Sequence, residues 1–320
     1  MIVKQLLRVV RLFLLTILAF SFVSACGGSS PRQAGSEAVR VVDHAMGQTK
    51  VSVNPQRVVA LSGSLDTVLS LGVKPVGSIQ ISEGNNYLKN RLEGIKSVGS
   101  FNNPSFEEIV ALKPDLILGT KWDDRDKYKL LSQIAPTVIA DVESSGEWKK
   151  LLNKYAEALG KTDKAEQIIG DYNARIEKFQ TQMGDRIQET EVSIVRVRQD
   201  RIDIYLEDSF PGTIVADAGL SHPPDQANAE DSFSMQISKE LLHIADANAI
   251  FIWTFASGNS EEADMEAQRN SKELKADPLW AKLNAVQQGK VYDVPRYWMG
   301  MGPIAANLVL DDLFEYLLEK

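Results

Sequence analysis

The sequence predicts an α/β protein made of two Rossmann-like α/β lobes joined by one long α-helix. Three observations carry this. Short, continuously apolar runs such as Val58-Val59-Ala60-Leu61 fit strands buried on both faces. Helical segments alternate with such runs up to about residue 145 and again after residue 189, the rhythm of mostly parallel sheets with helices on both faces. Between the two stretches, Ala165, Ile168, Ile169, Tyr172, Ile176, Phe179 and Met183 keep a three/four spacing with no proline. At about 1.5 Å per residue that segment is a rod of about 30 Å, long enough to run from one lobe to another, with Gly170 its weak point.

The first elements are an address. Lys4, Arg8 and Arg11 form a positive region, and Leu12 to Phe22 an apolar run too short to span a bilayer. Val23-Ser24-Ala25-Cys26 resembles the bacterial lipobox, where the signal is cut before the cysteine and its thiol is lipidated. The chain has one Cys, and it stands at the one position where lipidation would consume it; an ordinary signal peptide is the alternative. Gly27 to Glu37 reads as a flexible tether. The expected organisation is a signal over 1–25, a tether and N-terminal segment over 26–56, a first lobe over 57–145, a helical connector over 146–188 and a second lobe over 189–320.

Within the first lobe, strands are expected at Val58 to Leu61, Val76 to Ile79, Asp115 to Leu118 and Thr137 to Ala140. Helices are expected at Leu65 to Leu71, Phe106 to Leu112 and Lys127 to Ile134, with Gly72 and the prolines at 75 and 114 as punctuation. Trp148, Leu151, Leu152, Tyr155 and Leu159 share one helical face, which Gly160 ends. In the second lobe, Val192 to Val197 and Ile202 to Leu206 are strands joined by a turn at Gln199-Asp200. Strands Ala249 to Trp253 and Val291 to Val294 follow, with helices at Gly212 to Ala218, Lys239 to Ala245 and Ile304 to Leu318. A weak repeat supports duplication. Ser105-Phe106-Glu107-Glu108-Ile109 and Ser238-Lys239-Glu240-Leu241-Leu242 stand 133 residues apart, each an N-cap serine, an acid two residues on, an apolar helix and a strand.

Composition narrows the function. Of 320 residues, 44% are hydrophobic and 24% charged, which is globular. Thirty-five Lys and Arg against 43 Asp and Glu give a net charge of -8, which disfavours a sequence-independent nucleic-acid binder. One Cys excludes an internal disulfide, and with three His it excludes a Cys/His zinc site of the usual spacing. His243 reads as helix surface or core edge. His222, before Pro223-Pro224, is open to ligand contact or simply solvated. No nucleophile elbow, phosphate loop, dinucleotide fingerprint or zinc-protease motif is present, so binding is favoured over turnover.

Several stretches then resemble one known family, the periplasmic and lipoprotein substrate-binding proteins of iron–siderophore ABC importers. They are Arg57 to Ser62 with Asp66 to Gly77, Val98 to Glu107 running into Ala111 to Leu118, Gly289 to Val294 with Trp298, and Ala305 to Leu313. The resemblance spans Arg57 to Lys320. It implies two lobes bridged by one long helix, limited hinge motion, and one exposed acid per lobe docking on the permease; those positions fall on Glu107 and Glu240. The helix dipole alone would also favour an acid there, and Glu108 fits a capping box with Ser105.

A ferric siderophore needs aromatic walls and fixed cations, and Arg suits it better than Lys. Arg196 and Arg198 alternate on one strand face, and the resemblance places a ligand-facing Arg on this strand; which of the two faces the cleft stays open, as does a plain pair of salt bridges. Trp298, in a glycine-rich loop, is the expected aromatic wall, with Tyr297 and Arg296 beside it. Trp122 and Trp253 end parallel strands, where open α/β sheets bind ligands, though each could equally be core. Ser62, Ser64 and Tyr87 are loop candidates in the first lobe, and Asp66 reads as an early-helix carboxylate. The implied ligand is an intact ferric siderophore complex, with no covalently bound cofactor and no metal ligand from the protein. The partners are then permease subunits and the membrane, through Cys26, for a monomer outside the cytoplasm that binds no nucleic acid. Cobalamin or haem binding on the same fold, an exported enzyme, and a membrane-tethered sensor are the other readings.

Overall fold

The computed structural model describes residues 38–79, 83–100, 103–254 and 261–318. The expected signal, Cys26 and the tether lie outside them. Fourteen strands are described: β1 (Val39–His44), β2 (Gly47–Ser52), β3 (Val58–Ala60), β4 (Gly77–Ser78), β5 (Lys96–Ser97), β6 (Gly99–Ser100), β7 (Asn103–Pro104), β8 (Leu116–Thr120), β9 (Thr137–Ala140), β10 (Val192–Val197), β11 (Ile202–Tyr205), β12 (Ser234–Ile237), β13 (Ala249–Thr254) and β14 (Val291–Asp293). They make two five-stranded sheets, ordered β5-β4-β3-β8-β9 and β12-β11-β10-β13-β14. All neighbours in the first sheet are parallel. In the second, β10, β13 and β14 are parallel while β11 and β12 run antiparallel. A four-residue link explains the reversal: Arg198 N–H donates to Arg201 O (2.9 Å), closing a hairpin where a parallel return would need a long crossover.

Alternation along each strand splits the core. Val58 and Ala60 of β3 join one hydrophobic cluster, while Val59 joins another on the opposite face. Similarly, Val192 and Ile194 of β10 face the first cluster, and Val195 and Val197 a separate outer one. The first cluster is shared by both sheets. It is filled by helices Trp148–Leu159, Thr162–Met183 and Pro303–Leu318. The long helix has the 22 residues the periodicity requires, burying Ala165, Tyr172, Ile176, Phe179 and Met183. Tyr172 Oη donates to Asp217 Oδ2 (2.9 Å), and Arg175 Nη1 donates to Asn307 Oδ1 (2.6 Å). A Cβ at Gly170 would meet nothing within 4 Å. Gly170→Ala is therefore expected to raise stability by about 0.5–1 kcal/mol in denaturant unfolding, because nothing opposes the helix-propensity gain.

The repeat holds at the level of topology. β8 and β13 occupy the same rank in their sheets, each beside the strand that opens its half, β3 and β10. Local geometry differs. Ser105 Oγ accepts Glu108 N–H (3.3 Å), but Ser105 N–H donates to Val98 O (2.8 Å), so the reciprocal half of the expected capping box is not made. Lys239–Ala245 is a 3-10 helix with Leu241 off helical geometry, and Ser238 makes no side-chain cap to the backbone. Its hydroxyl instead bonds the Glu240 carboxylate, which holds that exposed acid below its ordinary value.

Candidate ligand cleft

The carboxyl ends of β3 and β8 come together with those of β10 and β13 and with the segment 295–302. Helix Pro303–Leu318 joins them. Asp66, in helix Ser64–Ser70, accepts the N–H groups of Ile304 and Ala305 (2.9 Å each), so an acid from beside β3 caps a helix at the far end of the chain. Asp66 is 4% exposed. Burial pushes its carboxyl up to about 6, against the pull of those two N–H groups and of the Tyr87 hydroxyl.

Beside β8, Thr120 caps the short helix Lys121–Asp124 by accepting Asp123 N–H (3.3 Å). Asp124 accepts Thr120 N–H (3.1 Å) and the Ser62 hydroxyl (3.5 Å), while Asp123 accepts Thr120 Oγ1 (3.3 Å). Burial raises both carboxyls, and Asp124 raises Asp123 further. Trp122 projects from this turn. It is 46% exposed, and it meets Phe233 edge-on at 6.0 Å. From Phe233 an aromatic file runs inward through Tyr205 (5.7 Å) to Trp253 (5.2 Å) and on to Trp298 (6.4 Å).

Arg196 lies against this file. It is 4% exposed, and its Nη1 donates to Tyr205 Oη (2.8 Å). Burial draws its guanidinium below the ordinary value, and nearby Arg198 adds to the effect. Arg198 itself pairs with Asp203 (2.5 Å), which also takes Arg201 (3.0 Å). Of the two arginines, Arg196 is thus the one set among the cleft aromatics, and Arg198 carries the salt-bridge role.

Three expected contacts are core instead. Trp298 is 0% exposed, stacks on Phe251 at 4.6 Å and donates its indole N–H to Asp312 (2.6 Å); it is no wall of the cleft. The glycines around it misled. Gly300 and Gly302 are small because packing is close there: a Cβ on Gly300 would stand 2.3 Å from that of Ala305, and one on Gly302 2.4 Å from Asp66 Oδ1. Ser64 is likewise buried, its hydroxyl bonded to Tyr155 Oη (2.6 Å). Ser62 is buried on Asp124. Tyr297 Oη is held by Asp312 (2.9 Å), its ring edge-on to Tyr87 at 6.2 Å, and Arg296 pairs with Asp264 (2.6 Å). Glu107 and Glu240 are both exposed. His222 is not solvated: its Nδ1 bonds Val192 O (2.9 Å) at the amino end of β10, away from the cleft. Sequence reading missed Tyr205, Phe233 and the Asp123–Asp124 pair. The signal for Tyr205 was there, an aromatic at the end of a strand paired with the arginine strand.

Two cavities lie elsewhere, one of about 330 Å³ at the amino ends of β10, β13 and β14, the other of about 240 Å³ beside the β10–β11 turn. Among the described residues no group of three or more His, Cys, Asp or Glu could hold a metal ion.

The chain is similar to several known proteins. The chain is 34% identical over 328 residues to the probable siderophore-binding lipoprotein YfiY of Bacillus subtilis (strain 168), covering 99% of each chain. It is 33% identical over 270 residues to the achromobactin-binding periplasmic protein of Dickeya dadantii (strain 3937), covering 81% of this chain and 85% of that one. The crystal structure of Staphylococcus aureus SirA complexed with staphyloferrin B superposes with a TM-score of 0.78 at 31% identity, over 87% of this chain and 98% of that one. The profile described as periplasmic binding protein matches residues 58–297, and the chain belongs to that family.

Proposed function

We propose that this chain is an extracytoplasmic solute-binding lipoprotein that captures a ferric siderophore between two lobes and delivers it to an ABC importer. The observation that carries this reading is the buried Arg196 bonded to Tyr205, whose ring packs against Trp253 and Phe233, with the exposed Trp122 edge-on to Phe233. An apolar-skinned anion needs that combination of fixed cation and aromatic surface. The names of the full-length relatives point the same way. In this reading the iron arrives already chelated, the protein acts as a monomer without turnover, and lipidated Cys26 tethers it. Lobes of 57–145 and 189–320, joined through 146–188, share the terminal helix. Trp122, Arg196, Tyr297 and Tyr87 line the ligand's route, and Trp253 lies beneath it.

Titrating the protein with ferric carboxylate, hydroxamate and catecholate siderophores should give at least one complex with a Kd below about 1 μM, near -8 kcal/mol. Binding of bare metal ions alone would end the reading. Exposed Glu107 and Glu240 suit docking on basic groups of the permease. Reversing both charges (Glu107→Lys with Glu240→Lys) should cut siderophore uptake in cells at least tenfold while leaving the Kd of the isolated protein unchanged; a changed Kd or unchanged uptake would remove the docking role.

A further inference from the structure

The loop from His222 to Ser232 leaves the second sheet beside the amino end of β10 and returns to it at Phe233. It starts after Ser221, whose carbonyl accepts Val192 N–H (2.8 Å). It ends where Asp208 N–H donates to Ser232 O (2.8 Å) and Leu206 N–H to Phe233 O (3.0 Å). Two side chains hold it in between. His222 Nδ1 meets Val192 O (2.9 Å); a carbonyl can only accept, so the proton of the neutral ring sits on Nδ1 and Nε2 is a bare lone pair. Gln226, in the short helix Pro224–Ala227, spends its amide N–H groups on Ser193 Oγ and Ile244 O (2.8 Å each), which fixes which way its Oε1 points. His222 Nε2 and Gln226 Oε1 are both buried, and neither has a hydrogen-bond partner among the described residues. Two unmet acceptors on one short loop carry a desolvation cost that apolar side chains would not.

One proton on Nε2 would answer this, and the Gln226 carboxamide and the Glu207 carboxylate both favour the charged ring. Glu207 lies just past β11 and is exposed. The other ionisable groups on the neighbouring elements are Glu191 before β10, half-buried, and Asp225 and His243, both exposed. An imidazolium in this place is cut off from water, and one neutral amide oxygen returns only part of that loss. Burial prevails, and it holds the ring below the ordinary imidazole value. The charged ring regains its hydration when the loop lifts off the sheet. We infer that His222 is a proton-operated latch: neutral, it pins the loop 222–232 to β10 through Val192 O, and protonated, it lets the loop go. Because the folded-state value is lowered, the latch is complete above the ordinary imidazole value and weakens as pH falls below it. The latch needs no ligand and so stands apart from the siderophore reading. Its bearing on the cleft runs through Phe233, at the returning end of the loop, whose ring meets Trp122 at 6.0 Å.

Global unfolding does not isolate this effect, because the buried acids Asp66, Asp123 and Asp124 titrate in the opposite sense. Amide hydrogen exchange of the loop does. In the full protein, peptides covering 221–233 should exchange about fivefold faster or more at about pH 5.5 than at about pH 7.5, once the pH dependence of the exchange chemistry itself is divided out. His222→Asn keeps an N–H for Val192 O and never carries the charge, so its loop should exchange alike at the two pH values. In parallel, the ring C–H signals of His222, assigned by their loss in that variant, should titrate in wild type below the ordinary 6.5. Equal loop exchange at the two pH values in wild type, the same acid loosening in His222→Asn, or a ring that titrates at or above 6.5 would each overturn the inference. Should His222→Asn leave the loop open at both pH values, the wild-type ring titration decides.

Discussion

Replacing Asp66 by Ala is expected to destabilise the protein by about 3 kcal/mol, lowering the unfolding temperature by about 10 °C. The change leaves the N–H groups of Ile304 and Ala305 at a helix end with no acceptor, in a site where the carboxylate is 4% exposed. Asp66→Asn keeps one acceptor oxygen and should cost about 1 kcal/mol. The carboxyl also makes stability depend on pH. Its folded-state pKa is raised, to about 6, so the folded protein holds this proton more tightly than the unfolded chain does. The resulting stabilisation is complete below the ordinary carboxylate value and is lost as pH rises through about 6. Asp123 and Asp124, also raised by burial, act in the same sense. Wild type should therefore be more stable near pH 5 than near pH 7.5, and Asp66→Asn should reduce that difference. Denaturant unfolding at the two pH values checks both statements. A variant with Ala at 66 that unfolds within about 0.5 kcal/mol of wild type would show that the cap contributes little.

Arg196→Met should weaken an anionic ferric chelate by about 100-fold or more while leaving folding stability nearly unchanged. Met fills much of the same volume without the cation, and a nearly buried guanidinium, its pKa already drawn down by desolvation, contributes little to net folding stability. Truncating one partner of a buried charged contact typically costs about 2–5 kcal/mol of binding. Arg196→Lys should recover little, since a single ammonium cannot bond Tyr205 and a ligand oxygen in one plane. The control is Arg198→Met. Arg198 is paired with Asp203, which keeps Arg201 after the change, so binding should fall by less than about tenfold. Equal losses in the two variants, or equal losses for anionic and neutral chelates, would mean that bulk at Arg196 mattered and its charge did not.

Much of the scaffold could be read from residues alone, for a physical reason. Strands such as β3, β8 and β9 are buried on both faces, so their runs are largely apolar, and the helices at 148–159 and 162–183 bury one clean face. Hairpin β1–β2 was not legible because its pattern is inverted. Val39 and Val41 point to solvent while Arg40 is half-buried, its guanidinium bonded to Glu157 O (2.9 Å). The two-residue strands β4 and β5 carry too few side chains to show any period. At the cleft, sequence placed Trp122 and Trp253 at strand ends and set Arg196 and Arg198 on one strand face without choosing between them. It could not find Phe233, which reaches Tyr205 only through the antiparallel β11–β12 pairing, and it misjudged Trp298 because glycines that permit close packing look the same in a sequence as glycines that loosen a loop.

The Asp66 cap joins residues 238 positions apart. A polypeptide delivered amino end first through a translocation channel reaches Asp66 early and Ile304 almost last. Until that final segment has emerged, the region around Asp66 faces a missing neighbour and part of the shared core stays open. In a chain that emerges in that order, this cap closes only after the final segment has arrived.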